Sequence, residues 1–212
     1  MTGTPGLPPR RALPRLLVLT DRHACVRPLV DVVRAAVDGG ARAVVLREKD
    51  LPGADRARLA DELRAVLADS AVADTCSEGV LLVLAGTAMR GEAMHLAAAD
   101  VVPVPRPALL GRSCHDAREL AAANDCDWVT VSPVWESSSK PGYGPALYPD
   151  GLAALLPGAP PAYALGGVDS PARAQQARAA GAHGVAVLGA VMRAAHPDRA
   201  VAALLEALRG GP

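Results

Sequence analysis

Short runs of aliphatic residues alternate along the chain with longer segments whose apolar positions recur at helical spacing. The short runs predict eight strands, at Leu16–Thr20, Ala43–Leu46, Val80–Leu84, Ala93–Leu96, Arg112–His115, Trp128–Val131, Ala162–Leu165 and Gly184–Leu188. The longer segments predict amphipathic helices, among them Val30–Asp38, Ala54–Ala68, Ala117–Asn124, Pro171–Ala180 and Pro197–Arg209. Strands and helices that alternate over short connections are typical of parallel βα units. The pattern therefore predicts an α/β domain with a parallel sheet.

The ends of the last two predicted strands distinguish between two parallel architectures. The seventh strand runs into Gly166 and Gly167, and the eighth runs into Leu188 and Gly189. Glycine leaves backbone N–H groups open to a bound anion, and two such ends in succession form a phosphate site in (β/α)8 barrels. An open doubly wound sheet is the alternative, but it gives no reason for two adjacent glycine-bearing strand ends. We therefore predict a single (β/α)8 TIM barrel.

Two segments depart from the regular repeat. The link between the third and fourth strands, residues 85–92, has room for only one or two helical turns, so we expect a shortened segment there. Residues 1–13 are rich in proline and glycine and predict a disordered lead-in, which leaves 14–212 as the barrel domain.

Composition and charge narrow the classes of function. The 212 residues are about half hydrophobic, which suits one domain with a full core, and the formal net charge is zero. Nothing here favours binding to nucleic acid or to a membrane, and no apolar run approaches the roughly 20 residues of a spanning helix. The four cysteines, Cys25, Cys76, Cys114 and Cys126, lack zinc-like pairing, so we expect free thiols in a cytoplasmic protein.

Three cations are predicted near the carboxyl ends of strands, where barrel enzymes carry their active groups. Arg47 and Lys49 follow the second strand, and Lys140 lies in the loop after the sixth. A lone lysine or arginine is usually a solvated surface charge, but three at one mouth favour a functional role. In a cleft of low dielectric such charges can stabilise a leaving pyrophosphate.

Hydroxyl, carboxylate and imidazole groups follow other strands. The loop 137–145 begins with three serines and becomes glycine-rich, which suits either a flap that binds phosphate or an ordinary polar loop. Asp100 after the fourth strand is either a Mg²⁺ ligand or a helix N-cap. His115 at the end of the fifth strand can act as an acid or base. His95 within the fourth strand is interpreted as a hydrogen-bonded core residue without a catalytic role.

Taken in order, these segments resemble the thiamine phosphate synthase/TenI superfamily from Leu16 to Leu208. The matching pieces are Leu19-Thr20-Asp21, Val45 to Lys49, His95-Leu96 with Asp100, Gly111 to His115, Ser132 to Lys140, Ala164 to Val168 and Gly184 to Ala190. The resemblance implies a (β/α)8 barrel. Synthase members join a pyrimidine methyl diphosphate to a thiazole phosphate and release pyrophosphate, so it also implies small phosphorylated substrates as partners.

The resemblance implies roles for particular residues. They are Arg47, Lys49 and Lys140 for the catalytic cations, Ser113, Ser137 and Ser139 for substrate-binding hydroxyls, Gly167, Leu188 and Gly189 for the thiazole phosphate site with Gly166 beside them, and Asp100 for one of two magnesium aspartates. A Mg²⁺ cofactor is therefore expected, and a homo-oligomer is left open.

Departures from the family pattern fall on the pyrimidine and metal side of the pocket. The synthase glutamine is Val45 here, and the Asn-Asp pair after the third strand is Ala85-Gly86. A divergent synthase is the first interpretation. A TenI-like thiazole phosphate tautomerase, or a non-catalytic protein that binds thiazole phosphate, is the alternative. Glu136 resembles the TenI glutamate, but the TenI histidine falls on Pro133, which leaves His115 as the candidate base.

Overall fold

Eight parallel strands close into a barrel in this computed structural model, which describes residues 12–72, 79–137, 142 and 144–210. The strands are β1 (Leu16–Leu19), β2 (Ala43–Leu46), β3 (Leu81–Ala85), β4 (Ala93–Leu96), β5 (Leu109–Cys114), β6 (Trp128–Val131), β7 (Ala162–Leu165) and β8 (Gly184–Val187). Each strand pairs with the next, and β8 pairs with β1 in the register Leu16 to Val185. The predicted TIM barrel is confirmed.

The strands read as unbroken apolar runs because both of their faces are buried. Leu17 and Leu19 of β1 belong to a cluster that fills the lumen of the barrel, together with Val45 of β2 and Trp128 of β6. The alternate residues, such as Val18, belong to the larger cluster between the sheet and the helices. The core therefore lies in two layers, one inside the barrel and one around it.

Seven helices surround this barrel among the described residues. They are α1 (Leu29–Asp38), α2 (Gly53–Val72), α3 (Ala117–Ala121), α4 (Tyr148–Leu155), α5 (Pro171–Ala179), α6 (Gly189–Met192) and α7 (Pro197–Arg209). Side chains cap two of them: the Asp116 carboxylate accepts from the Glu119 N–H at the start of α3, and the Ser170 hydroxyl accepts from the Arg173 N–H at the start of α5. No helix within the described ranges is both long and apolar enough to cross a membrane.

Two successive crossovers contain no helix. Residues 86–92, between β3 and β4, form bends, in agreement with the shortened segment that was predicted, and residues 97–108, between β4 and β5, are also irregular. Met89 and Val102 from these links pack against the core in place of helices. The Arg112 guanidinium supports the second link by donating to the carbonyl oxygens of Ala97, Ala98 and Asp100.

Several predictions concern residues beyond those described. They are residues 1–11 of the lead-in, Cys76 in the sequence between α2 and β3, and Ser139 and Lys140 after β6. Of the predicted lead-in, Leu13 packs against the lumen cluster, and its carbonyl oxygen lies 3.0 Å from His183 Nε2. The cysteines at 25, 114 and 126 are free thiols, as expected.

Candidate active site at the carboxyl end of the barrel

A cavity opens at the carboxyl ends of the strands, where β1, β2, β7 and β8 meet the loop after β6. Six of the residues predicted for the site line it: Arg47, Ser137, Gly166, Gly167, Leu188 and Gly189. The structure therefore brings together the glycine-bearing strand ends, one cation and one hydroxyl. These are the groups that a phosphate ester needs in order to be held at a barrel mouth.

The backbone after β7 has a conformation that requires glycine. Gly166 and Gly167 have φ angles of +93° and +65°. A Cβ on Gly167 would lie 2.5 Å from the Glu136 carbonyl oxygen and 2.6 Å from Trp135 Cβ, so no side chain fits. The loop after β6 approaches this closely because the Trp135 N–H donates to the Gly166 carbonyl oxygen at 3.0 Å. This pairing holds Ser137 at the cavity.

Arg173 on α5 fixes the same turn from outside. Its Nη1 donates to the Gly167 carbonyl oxygen at 2.6 Å and to an Asp169 carboxylate oxygen at 2.9 Å. The guanidinium also lies 5.6 Å from the centre of the Trp135 ring. The glycine turn is thus held by the loop after β6 on one side and by α5 on the other.

The loop that carries Arg47 and Lys49 is anchored to the end of β1. The Arg47 N–H donates to Thr20 Oγ1 at 3.0 Å. Glu48 between the two cations points away from solvent, with 3% of its surface exposed, and accepts from the backbone N–H of Arg22 at 3.2 Å and from Arg22 Nη1 at 3.0 Å. This contact fixes the backbone of the loop that carries Arg47 and Lys49, the two predicted catalytic cations in this segment.

Asp50 adds a solvent-exposed contact to those that hold the loop after β2. Arg22 Nη1 donates to the Asp50 carboxylate at 2.7 Å, and His23 Nε2 lies 3.0 Å from the same group. The hydrogen bond from Arg22, with a further one from His23, holds the pKa of Asp50 below its ordinary value. The Asp50 hydrogen bond in turn raises the pKa of Arg22. Both groups therefore stay charged at neutral pH.

Lys49 lies on the other side of the mouth, above β3 and β4. Its Cε is 3.8 Å from where a Cβ on Gly86 would stand, and Gly86 has a φ of +78°. Gly86 is the position at which the family pattern has an aspartate. A lysine side chain therefore extends over the position where that carboxylate is missing.

Ser113 on β5 belongs to a hydrogen-bonded group below the mouth. His95 Nε2 lies 3.2 Å from Ser113 Oγ and 3.2 Å from Thr130 Oγ1. Burial, followed by the charges of Lys49 and Arg112, lowers the pKa of His95 to about 4. The imidazole is therefore neutral at physiological pH. The interpretation of His95 as a hydrogen-bonded core residue agrees with this geometry, which the sequence did not link to Ser113.

Asp100 and His115 do not line the cavity. An Asp100 carboxylate oxygen accepts from the Ala97 N–H at 2.8 Å, which closes the turn after β4. His115 Nδ1 lies 2.8 Å from a Glu119 carboxylate oxygen, and the His115 N–H donates to the same oxygen. Each predicted functional group thus serves a local structural role.

The described residues contain no cluster of three or more His, Cys, Asp or Glu that could hold a metal ion. Gly86 supplies no carboxylate, and one oxygen of Asp100 is already bonded to the Ala97 N–H. Asp100 keeps its second carboxylate oxygen for a ligand, and a Mg²⁺ ion that binds together with substrate phosphates takes only one or two protein carboxylates, so Mg²⁺ stays a prediction tied to the diphosphate.

Sequence reasoning missed several residues at the cavity. Arg193, just after α6, lines it beside Gly189, and Asp21 and Asp169 line its edges. Asp21 is named from the sequence only within the piece Leu19-Thr20-Asp21 and is given no role there, and nothing in the sequence places Arg193 at the mouth. Arg22 was missed as the partner of Glu48, because the contact joins loops that are 26 residues apart.

Known proteins resemble this chain in sequence and in fold. A family model described as thiamine monophosphate synthase matches residues 16–191. The chain belongs to this family. The structure of thiamine phosphate pyrophosphorylase from Pyrococcus furiosus superposes with a TM-score of 0.76 over 92% of this chain and 95% of that one, at 23% identity. That likeness supports the fold.

Curated members of the family are similar over nearly their whole length. A putative thiamine-phosphate synthase from Geobacter sulfurreducens is 36% identical over 201 residues, which cover 91% of this chain and 93% of the relative. The thiamine-phosphate synthase of Mycobacterium marinum is 35% identical over 210 residues, which cover 92% and 95%. The resemblance stated from the sequence is confirmed. These relatives favour the synthase interpretation over the tautomerase, while the roles of individual site residues stay predictions.

Proposed function

We propose that this family member is a thiamine-phosphate synthase that joins a pyrimidine methyl diphosphate to a thiazole phosphate and releases pyrophosphate. One observation carries the proposal. The loop after β2, anchored through Glu48, places Arg47 at the glycine-lined cavity and Lys49 over Gly86, on the opposite side of the mouth. A rigid pair of cations between two halves of a pocket suits a reaction in which one substrate loses a diphosphate beside a second, phosphorylated substrate.

The two substrates are assigned to different halves of the mouth. The thiazole phosphate occupies the cavity, with its phosphate against Gly167 and Gly189 and in reach of the Ser137 hydroxyl. The pyrimidine diphosphate lies toward β3, β4 and β5, with Ser113 below it and Lys49 beside its diphosphate. The neutral His95 orients the Ser113 hydroxyl without adding charge to the lumen.

The reaction that this arrangement supports begins with departure of pyrophosphate. The bond between the pyrimidine methylene carbon and the diphosphate oxygen breaks, and its electron pair leaves with the oxygen. Arg47 and Lys49, with Lys140 as the predicted third cation, stabilise the charge that develops there. The thiazole nitrogen then donates its lone pair to the methylene carbon, and the new C–N bond gives a thiazolium product. No protein base is needed, which agrees with the engagement of His115 by Glu119.

Mg²⁺ enters the proposal only as a companion of the diphosphate. Because a single carboxylate would hold the ion weakly without the diphosphate, no step is assigned to the metal. The second carboxylate oxygen of Asp100 is the protein ligand expected for an ion that arrives on the substrate. A cytoplasmic location is also part of the proposal, since the three described cysteines are free thiols.

A turnover assay tests the function. The pure protein with both substrates and Mg²⁺ should form thiamine phosphate, and Arg47→Ala, Lys49→Ala and Lys140→Ala should each lower turnover by about 10²–10³-fold, the usual cost of losing one preorganised group. Arg64→Ala is the matched control, because Arg64 is exposed on α2 and pairs only with Asp61 in the described structure. If the wild type forms no thiamine phosphate at enzyme concentrations equal to those of the substrates, the proposal fails.

A further inference from the structure

Arg193 occupies a position over the phosphate side of the cavity that no family role explains. It follows α6, and its backbone N–H donates to the Gly189 carbonyl oxygen at 3.2 Å. Its side chain turns back over the same glycine. A Cβ on Gly189 would overlap the Arg193 guanidinium and would lie 2.7 Å from Nη1. The missing side chain of residue 189 is therefore the space in which the guanidinium lies.

Charged residues of both signs surround this space, and they determine how a cation there would affect the binding of an anion. Arg47 and Arg193 both line the cavity. Three acidic residues line the same cavity: Asp21, Glu136, and Asp169, whose carboxylate is paired with Arg173. A phosphate monoester that carries close to two negative charges would meet these carboxylates, so backbone N–H groups alone would hold it against an unfavourable local field.

We propose that Arg193 binds the phosphate of the thiazole substrate and selects the phosphorylated form over the free alcohol. This inference rests on the proposed function. A guanidinium presents paired N–H donors that match two phosphate oxygens, and such charge-assisted hydrogen bonds are stronger than neutral ones. Gly189 then has two functions: its N–H faces the anion, and its lack of a side chain makes room for the guanidinium.

The competing explanation is that Arg193 is a surface arginine that covers Gly189 by packing alone. The two explanations differ in ligand dependence. A binding role predicts a loss that appears with the phosphorylated thiazole and disappears with the thiazole alcohol. A packing role predicts equal losses for both ligands, or none.

The first measurement is therefore calorimetric binding of thiazole phosphate and of thiazole alcohol to wild type, Arg193→Ala and Arg193→Lys. Arg193→Ala should weaken binding of the phosphate about 10- to 100-fold, the range for loss of a hydrogen bond to a charged group, and leave binding of the alcohol within about twofold. Arg193→Lys should recover part of the loss, since it restores charge without the paired donors. Arg199→Ala on α7 is the control and should match wild type.

A second variant tests the link to Gly189. Gly189→Ala adds the Cβ that displaces the guanidinium, and no φ strain accompanies it because residue 189 is the first residue of α6. It should weaken phosphate binding as Arg193→Ala does, and the double variant should be no weaker than the single ones, because residues that act as a unit are non-additive. Additive losses would contradict the proposal.

Kinetics separate this inference from the function on which it rests. In an active enzyme, Arg193→Ala should raise KM for the thiazole phosphate by the same factor, with kcat and the KM of the pyrimidine diphosphate within about twofold of wild type. If the wild type makes no thiamine phosphate, the proposed function fails, but binding of inorganic phosphate still tests Arg193. Equal binding of phosphate by wild type and Arg193→Ala would overturn the inference.

Discussion

Acid is expected to destabilise this barrel through one buried imidazole, that of His95. The side chain lies in the lumen with 7% of its surface exposed, and its Nε2 contacts the hydroxyls of Ser113 and Thr130. Burial, then the charges of Lys49 and Arg112, lower its pKa from 6.5 to about 4, with Asp100 opposing them. Protonation in the folded state is therefore unfavourable above about pH 4.

The sign and size of the effect follow from linkage. The unfolded chain takes up a proton near pH 6.5 and the folded chain near pH 4, so the unfolded state binds more protons between these values. The free energy of unfolding thus falls as pH falls through this window, by about 1.4 kcal/mol per pH unit. Between pH 7.5 and pH 5 the contribution of His95 amounts to a loss of about 2 kcal/mol.

Urea unfolding at a series of pH values measures this loss when wild type is compared with His95→Gln. The variant keeps a hydrogen-bonding side chain but cannot titrate, so the stability difference between the two proteins should shrink by about 2 kcal/mol from pH 7.5 to pH 5. His183, whose pKa burial also lowers, is present in both proteins and cancels. His196→Gln serves as the control and should follow the wild-type curve. Parallel curves for wild type and His95→Gln would refute the reasoning.

Three further predictions concern the site and its supports. Gly167→Ala should lower the free energy of unfolding more than Gly158→Ala does, and thermal unfolding of the two variants measures the difference. Both glycines have positive φ, but of the two only Gly167 has atoms within 4 Å of the added Cβ. Arg22→Ala leaves the buried Glu48 carboxylate without its guanidinium and should lower the urea midpoint of unfolding, while an unchanged midpoint would contradict the anchoring role. Mg²⁺ titrated into the protein without diphosphate should give no calorimetric heat of binding below millimolar concentration, and Asp100→Asn should leave that result unchanged, so tight metal binding to the protein alone would show a resident site.

The strands were predictable because burial on both faces produces apolar runs that are visible without any structure. The start of strand β5 was predicted three residues too late, since the strand begins at Leu109 and includes Gly111, a residue that weakens a strand pattern. The structure gives the reason for this glycine: a Cβ there would overlap the Trp128 indole on the neighbouring strand. That requirement involves two strands 17 residues apart in sequence and is invisible in either one.

The helices α4 and α6 and the candidate site show the same limit. Helix α4 begins at Tyr148, whose φ is +51°, and Leu147 at its N-cap position makes no side-chain capping bond, so the usual polar cap signal is missing before Pro149. The glycine-bearing ends of β7 and β8 could be recognised in the sequence. A backbone turn that only glycine can form leaves a glycine at that position, and this residue type is visible without a structure. The contacts of Arg22 with Glu48 and of Arg193 with Gly189 could not be recognised, because a guanidinium on a long side chain leaves no periodic signal.

The absence of helices after β3 and β4 affects where the barrel is expected to open locally. Elsewhere the barrel wall is covered by helices such as α1, α5 and α7, and α7 packs on both of the others. The wall at β4 is covered instead by single loop side chains such as Met89 and Val102, and the Arg112 guanidinium of β5 holds the second loop. Local opening should therefore require less free energy here than at β1 or β8, and amide hydrogens of Ala93–Leu96 should exchange with deuterium before those of Leu16–Leu19. The proposed diphosphate half of the mouth thus lies on the part of the barrel that opens first.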